Sequence, residues 1–274
     1  MPLYQAIVLA VIQGLTEFLP VSSTAHLALF PWLLGWKDPG LTFDVALHAG
    51  TLVAVLLYFW RWWVEMVGAA LGAGRADPEV ARRNRRLFWY LVIGTIPAGI
   101  VGLLFERAAE EQLRQPVVIG LALVLVALLM WAGERASAHQ ASLDRILFKD
   151  SITIGLGQAL AVIPGVSRSG ITMSVGLFRG MSREAVAEFS FLLSTPIIAG
   201  AVLKKGLEVH KHGLPPGMAT PFLAGVVVAG IVGYLVIALF IRFLKRRTFR
   251  PFIIYRLLLG VVVLALGWGL HLSH

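Results

Sequence analysis

The sequence of 274 residues contains no cysteine, and only 14% of its residues are charged. The absence of cysteine excludes disulfides, thiolate zinc sites and cysteine nucleophiles. Because a soluble domain carries about 25% charged residues, the shortage of charge argues against a soluble enzyme. Walker, HExxH and GxSxG motifs are also absent. With 58% apolar residues and a mean hydropathy of +0.80, the composition predicts an integral membrane protein.

The apolar segments predict an all-α polytopic membrane protein with one integral membrane domain, residues 1–274. Spans of about 20 mainly apolar residues are predicted at 43–66, 87–105, 116–133, 184–206, 219–241 and 252–271. Two further apolar stretches, 3–35 and 151–178, are interrupted midway by proline and small polar residues. Broken backbone at membrane depth is stable only where protein or water satisfies it. Each stretch is therefore predicted to be a re-entrant helical hairpin.

The basic residues predict the orientation of these segments. Lys and Arg concentrate in four loops, at 75–86, 134–150, 179–183 and 242–250. The positive-inside rule places these loops in the cytoplasm and both termini outside. Such short basic runs between apolar stretches fit anionic lipid headgroups, so the net charge of +9 does not indicate a nucleic-acid partner.

This orientation also predicts an internal duplication. The first hairpin then enters from outside and the second from inside, and three spans follow each hairpin. Residues 1–133 and 151–274 are thus predicted to be inverted-topology repeats, and QGLTEFLPVSS weakly resembles QALAVIPGVSRS. Inverted repeats with broken helices place a binding site near the membrane midplane. This architecture also occurs in transporters, so a transporter or lipid flippase that uses the same site is the alternative to an enzyme.

Polar residues of the first hairpin are candidates for chemistry. Glu17 is a carboxylate inside an apolar helix, where a functional role is the default interpretation. Gln13 lies one turn earlier on the same face. Ser23 and His26 follow Pro20 and have the spacing of a nucleophile and its base on one helical face.

The second hairpin carries a different set of polar groups. Arg168 must face a partner or an aqueous cavity in a membrane hairpin. Around it lie Gly165 and the hydroxyls of Ser167, Ser169 and Thr172. Free backbone N–H groups, hydroxyls and a guanidinium are the components of a phosphate site. Pairing of Arg168 with Glu17 would instead make this group structural.

These residues carry a family resemblance. QGLTEFLPVSSTAH, from Gln13 to His26, is similar to the (E/Q)xxxE signature and the serine-histidine stretch of the bacterial undecaprenyl-diphosphate phosphatase family, which is linked to bacitracin resistance. PGVSRSGIT, from Pro164 to Thr172, resembles the PGxSRSxxT signature of that family. The size and span pattern agree over the whole chain.

The resemblance implies hydrolysis of undecaprenyl diphosphate to undecaprenyl phosphate and inorganic phosphate, which recycles the lipid carrier for peptidoglycan synthesis. It implies a multi-pass protein of the bacterial plasma membrane, with the site facing outside and membrane lipids around it. It also implies a divalent metal, Mg²⁺ or Ca²⁺, at Glu17 and Gln13; many family members have Glu at the latter position. Catalytic roles fall to Glu17, Ser23, His26 and Arg168. The nucleophile is Ser23 with His26 as base, His26 itself or a water molecule, and a homodimer is one oligomeric state that the sequence allows.

Overall fold

The computed structural model describes residues 1–73, 77–111, 113–214 and 216–271, with side chains described except at 106–111 and 268–271. Within these ranges the chain forms eleven α-helices and no β-strand. The helices are α1 Leu3–Phe18, α2 Ser23–Leu33, α3 Leu41–Tyr58, α4 Trp60–Ala70, α5 Pro78–Glu111, α6 Pro116–Ala136, α7 Phe148–Ala159, α8 Arg168–Phe178, α9 Arg183–His212, α10 Ala219–Leu244 and α11 Arg250–His271. Residues 75 and 76 of the predicted inner loop lie outside the described residues.

Six helices are long and apolar enough to cross a membrane: α3, α5, α6, α9, α10 and α11. Large apolar side chains on their outer faces, such as Leu103 and Leu239, are exposed and suit contact with lipid. The prediction of an all-helical chain with six such helices is confirmed, and the chain is a multi-pass membrane protein.

One predicted span, 43–66, differs from the structure because the helix is interrupted at Phe59, between α3 and α4. The second helix, α4, carries Arg61 and Glu65 among its tryptophans. Glu65 accepts a hydrogen bond from Asn84 Nδ2 of α5 at 3.2 Å. Helix α4 packs against α5. Its charged side chains suit an interface better than a hydrocarbon core, so α4 does not extend the span, which is Leu41–Tyr58.

Both predicted hairpin stretches are pairs of helices with a break where the prolines stand. The first break, 19–22, separates α1 from α2. The second, 160–167, contains a short 3₁₀ turn and separates α7 from α8. Ser169 Oγ of α8 donates a hydrogen bond to the carbonyl oxygen of Leu19 at 3.1 Å, so the first turn of α8 contacts the first break.

The long helices surround the breaks through close backbone contacts. Helices α1 and α3 pack on α10, α5 packs on α7, and α6 packs on α11. A Cβ atom at Gly50 would overlap the carbonyl oxygen of Val226, and one at Gly155 would overlap that of Gly94. Small residues at such contacts let membrane helices approach closely. The two breaks are thereby held side by side inside the helix bundle.

Candidate active site

Glu17 is the centre of a buried polar cluster at the end of α1. Its Oε2 accepts hydrogen bonds from Gln13 Nε2 at 3.0 Å and from Ser23 Oγ at 2.7 Å. Its Oε1 accepts one from Arg168 Nη2 at 2.7 Å. The side chain of Glu17 is only 5% exposed. The structure therefore brings together four predicted site residues. Gln13 and Glu17 lie in α1, whereas Ser23 begins α2 after the first break and Arg168 begins α8 after the second.

The first turns of α2 and α8 have the same unusual geometry. Ser22 and Ser167, the residues before these helices, have positive φ angles of 76° and 67°, a backbone conformation that residues other than glycine rarely adopt. The Ser22 Oγ accepts a hydrogen bond from the backbone N–H of Ala25, and Ser167 Oγ accepts one from Gly170. The N–H groups of the first helical residues lack partners within their own helix. Two helix N-termini, each with a partial positive charge, thus meet beside Glu17.

Arg168 begins α8 and is fixed at two points. Besides Glu17, its Nη1 donates to the carbonyl oxygen of Ser190 in α9 at 3.1 Å. The Thr172 Oγ1 donates to the Arg168 carbonyl and lies 2.7 Å from Ser190 Oγ. A guanidinium has five N–H donors, and these contacts use two of them. The remaining donors can bind phosphate oxygens.

The predicted pair of Ser23 and His26 is not joined by a hydrogen bond in this structure. His26 Nδ1 lies 2.7 Å from the carbonyl oxygen of Ser22, which can only accept, so Nδ1 carries a proton. His26 Nε2 lies 2.6 Å from the hydroxyl of Tyr255 in α11. Ser23 instead donates its proton to Glu17. The first turn of α2 directs the side chains of Ser23 and His26 to different partners. The group placed to accept the Ser23 proton is therefore the Glu17 carboxylate.

Hydroxyl groups of the second motif point mainly at backbone atoms. Ser169 Oγ bonds to Leu19, Thr172 Oγ1 to Arg168, and Ser167 Oγ caps α8. Gly165 has φ +93°, and a Cβ there would lie 2.6 Å from the carbonyl oxygen of Ile119. These contacts fix the start of α8 against α6 and the first break. The spacing of the motif is therefore explained by the packing of α8.

His48 of α3 completes the cluster and was missed as a site residue by the sequence reasoning. Its Nε2 lies 3.3 Å from Glu17 Oε2, and its Nδ1 lies 2.8 Å from the Asp44 carbonyl oxygen. Asp44 forms an ion pair with Arg114 at 3.0 Å. A histidine one turn from an aspartate was the available signal, but the sequence does not reveal that α3 packs against α1.

Comparison with known proteins identifies the family of the chain. The model of the family described as "Bacitracin resistance protein BacA" matches residues 6–262. The chain belongs to this bacitracin resistance protein family. It is 48% identical over 268 residues to a protein of Moorella thermoacetica named undecaprenyl-diphosphatase, covering 98% of this chain and 99% of the relative.

Two further members of the family support the same assignment. A Desulforudis audaxviator protein is 49% identical over 266 residues, covering 96% of this chain and 97% of its own. A Pelotomaculum thermopropionicum protein is 46% identical over 268 residues, with 97% of each chain covered. Both are named undecaprenyl-diphosphatase. Membership of the family, predicted from the two motifs, is confirmed.

Proposed function

We propose that this protein is a membrane phosphatase that hydrolyses undecaprenyl diphosphate to undecaprenyl phosphate and inorganic phosphate. The observation that carries the proposal is the meeting of two helix N-termini and Arg168 beside the hydrogen-bonded pair of Ser23 and Glu17. Helix N-termini and a guanidinium bind phosphate oxygens, and a hydroxyl held against a carboxylate is an activated nucleophile. The names of the relatives supply the lipid substrate.

The geometry supports a nucleophilic mechanism at Ser23. The terminal phosphate of the substrate binds to Arg168 and to the backbone N–H groups that begin α2 and α8. The Ser23 Oγ attacks the terminal phosphorus while its proton passes to Glu17 Oε2, 2.7 Å away. Undecaprenyl phosphate leaves as the bridging P–O bond breaks, and water then releases phosphate from Ser23. In this scheme His26 orients the first turn of α2 through Ser22 and does not act as the base.

The residues present fit a divalent metal that binds together with the substrate. Gln13 Oε1 is buried without a hydrogen-bond partner among the described residues, next to the Glu17 carboxylate. The described chain has no cluster of three or more His, Asp or Glu side chains suited to a metal ion. Mg²⁺ is often held by one or two protein oxygens together with substrate phosphates. Gln13 and Glu17 would hold the ion, which would supply positive charge for the diphosphate.

The proposal includes the inverted repeat and an outward-facing site in the bacterial plasma membrane. Helix α1 packs on α10, and α7, its counterpart in the second half, packs on α5, the counterpart of α10. Helices α3 and α6 each pack on their own counterparts, α9 and α11. The serine caps before α2 and α8 repeat the same geometry. This pairing is what a two-fold axis in the membrane plane produces.

The reaction would recycle the carrier lipid of peptidoglycan synthesis and so confer bacitracin resistance. Substrate would enter laterally from surrounding membrane lipids. The relatives described above are named as phosphatases. No observation favours lipid transport, so it is not proposed as a second function.

A trapped intermediate tests the nucleophile. Purified protein in detergent is mixed with polyprenyl diphosphate labelled at the terminal phosphate and quenched with sodium dodecyl sulfate at neutral pH, which preserves both phosphoserine and phosphohistidine. We expect phosphoserine at Ser23, its loss in Ser23→Ala, and its retention in Ser194→Ala, which removes a buried hydroxyl that bonds within α9. Phosphate release without label on the protein would assign the attack to water, and labelled histidine would assign it to His26.

A further inference from the structure

Arg256 is a fully buried arginine whose role the mechanism leaves unexplained. It lies in the apolar helix α11 and is 0% exposed. Among the described residues, no carboxylate forms an ion pair with it. A buried charge without a counter-ion is costly, so the surrounding groups must compensate for it.

Backbone carbonyl oxygens supply this compensation, and most of them belong to the two breaks. Arg256 Nη1 donates to Pro20 in the first break at 3.2 Å. Its Nη2 donates to Gly165 at 3.0 Å and Val166 at 3.1 Å in the second break. Further contacts at 3.3 Å reach the carbonyl oxygens of residues 122 and 123 in α6. One guanidinium therefore connects both breaks to α6 and α11.

The position of these carbonyls explains what the contacts do. Gly165 and Val166 directly precede Ser167, and Pro20 lies two residues before Ser22; both serines have positive φ. Such backbone conformations persist only where surrounding contacts enforce them. Arg256 binds the carbonyl oxygens of the breaks on one side. The N–H groups that begin α2 and α8 can then point to the other side, toward Glu17 and Arg168.

We infer that Arg256 is a positioning residue that holds the two breaks in register, so that both helix N-termini meet at one phosphate. The inference rests on the proposed function, since it explains how the phosphate site is kept in shape. It assigns Arg256 no contact with the substrate. Lysine can replace it only in part, because a single ammonium group has three donors and lacks the planar fork that spans both breaks.

The expected effect is on turnover more than on substrate binding. Misplacement of reacting groups by about 1 Å costs on the order of 100-fold in rate. Arg256→Met, which keeps length and removes every donor, should lower kcat about 10- to 100-fold per folded molecule and leave KM within about threefold. Arg256→Lys should fall between Arg256→Met and wild type. Arg242→Met, at an exposed arginine at the end of α10, is the matched control.

A distance measurement separates positioning from mere stability. The chain has no native cysteine, so spin labels can be attached at Trp32→Cys and Phe178→Cys, exposed positions near the C-terminal ends of α2 and α8. We expect one narrow distance distribution with Arg256 present, and a shifted or broadened distribution in the Arg256→Met and Arg256→Lys backgrounds. If Arg256→Met does not fold, Arg256→Lys provides the test.

Unchanged kcat, or lowered kcat with an unchanged distance distribution, would overturn the inference. The distance measurement needs no turnover. If the wild-type protein releases no phosphate, the proposed function fails, whereas the effect of Arg256 on the breaks is still decided by the labels.

Discussion

Replacing Glu17 by glutamine tests the arrangement of the site most sharply. Three hydrogen bonds reach the carboxylate, from Gln13, Ser23 and Arg168, and His48 Nε2 lies 3.3 Å away. An amide has the same shape, but one of its two terminal atoms is itself a donor. In Glu17→Gln the amide nitrogen can no longer accept the hydrogen bonds made at its position, and the charge that balances Arg168 is lost.

The size of the effect follows from burial. The side chains of Glu17 and Arg168 are 5% and 12% exposed, so little water can replace the lost contact. Removing one partner of a buried ion pair costs about 3–5 kcal/mol of stability. Loss of the proton acceptor for Ser23 lowers the rate about 10²- to 10⁴-fold. We expect kcat of Glu17→Gln to fall about 10³-fold, with a lower midpoint of thermal unfolding.

The assay is phosphate release from polyprenyl diphosphate in detergent, normalised to folded protein. Glu208→Gln is the control, because it removes an exposed carboxylate paired with Lys205. His26→Gln should cost only about tenfold, since His26 has no bond to Ser23 and removing a hydrogen bond costs about 1 kcal/mol. A loss in His26→Gln as large as in Glu17→Gln would refute the assignment of the carboxylate as proton acceptor.

Three further predictions follow from the same geometry. Arg168→Lys should lose about 10²- to 10³-fold in kcat/KM, because lysine lacks the planar fork; near-normal turnover would mean that only charge matters. Gln13→Glu should lower the metal concentration for half-maximal activity, and an unchanged metal titration would remove position 13 from the metal site. In cells without an outer-membrane barrier, Lys37→Cys should react with an impermeant thiol reagent, whereas Ala81→Cys should react only after lysis; the opposite pattern would invert the topology.

The helices and the breaks could be predicted from the sequence because both follow local rules. Long apolar runs predicted the spans, and the prolines at 20 and 164 with their adjacent serines predicted where two helices stop. The interruption at Phe59 was missed because α4 follows α3 directly and is rich in tryptophan, a residue typical of the interfacial end of a span. Only the charges of Arg61 and Glu65 distinguish it.

The contacts of the site were predictable only in part. Glu17 and Arg168 stand out because a charge in an apolar segment needs a partner. Pairing of these two residues was one of the alternatives that the sequence predicted. His48 lies one turn from Asp44, and Arg256 is a charge in the apolar helix α11, so both stood out locally, but nothing in the sequence shows that they or Tyr255 lie beside the breaks. Their roles depend on how α3 and α11 pack against the hairpins, which helical periodicity does not encode.

We propose that Arg168 and Glu17 form the centre of a phosphatase for polyprenyl diphosphate. Initial rates of phosphate release by the purified protein test it most directly, with Arg168→Ala compared with Arg179→Ala, which breaks an ion pair with Asp150 at the far end of α8. We expect release by the wild type, release by Arg179→Ala within a few-fold, and almost none by Arg168→Ala. Equal release by wild type and Arg168→Ala, or none by the wild type, would contradict it.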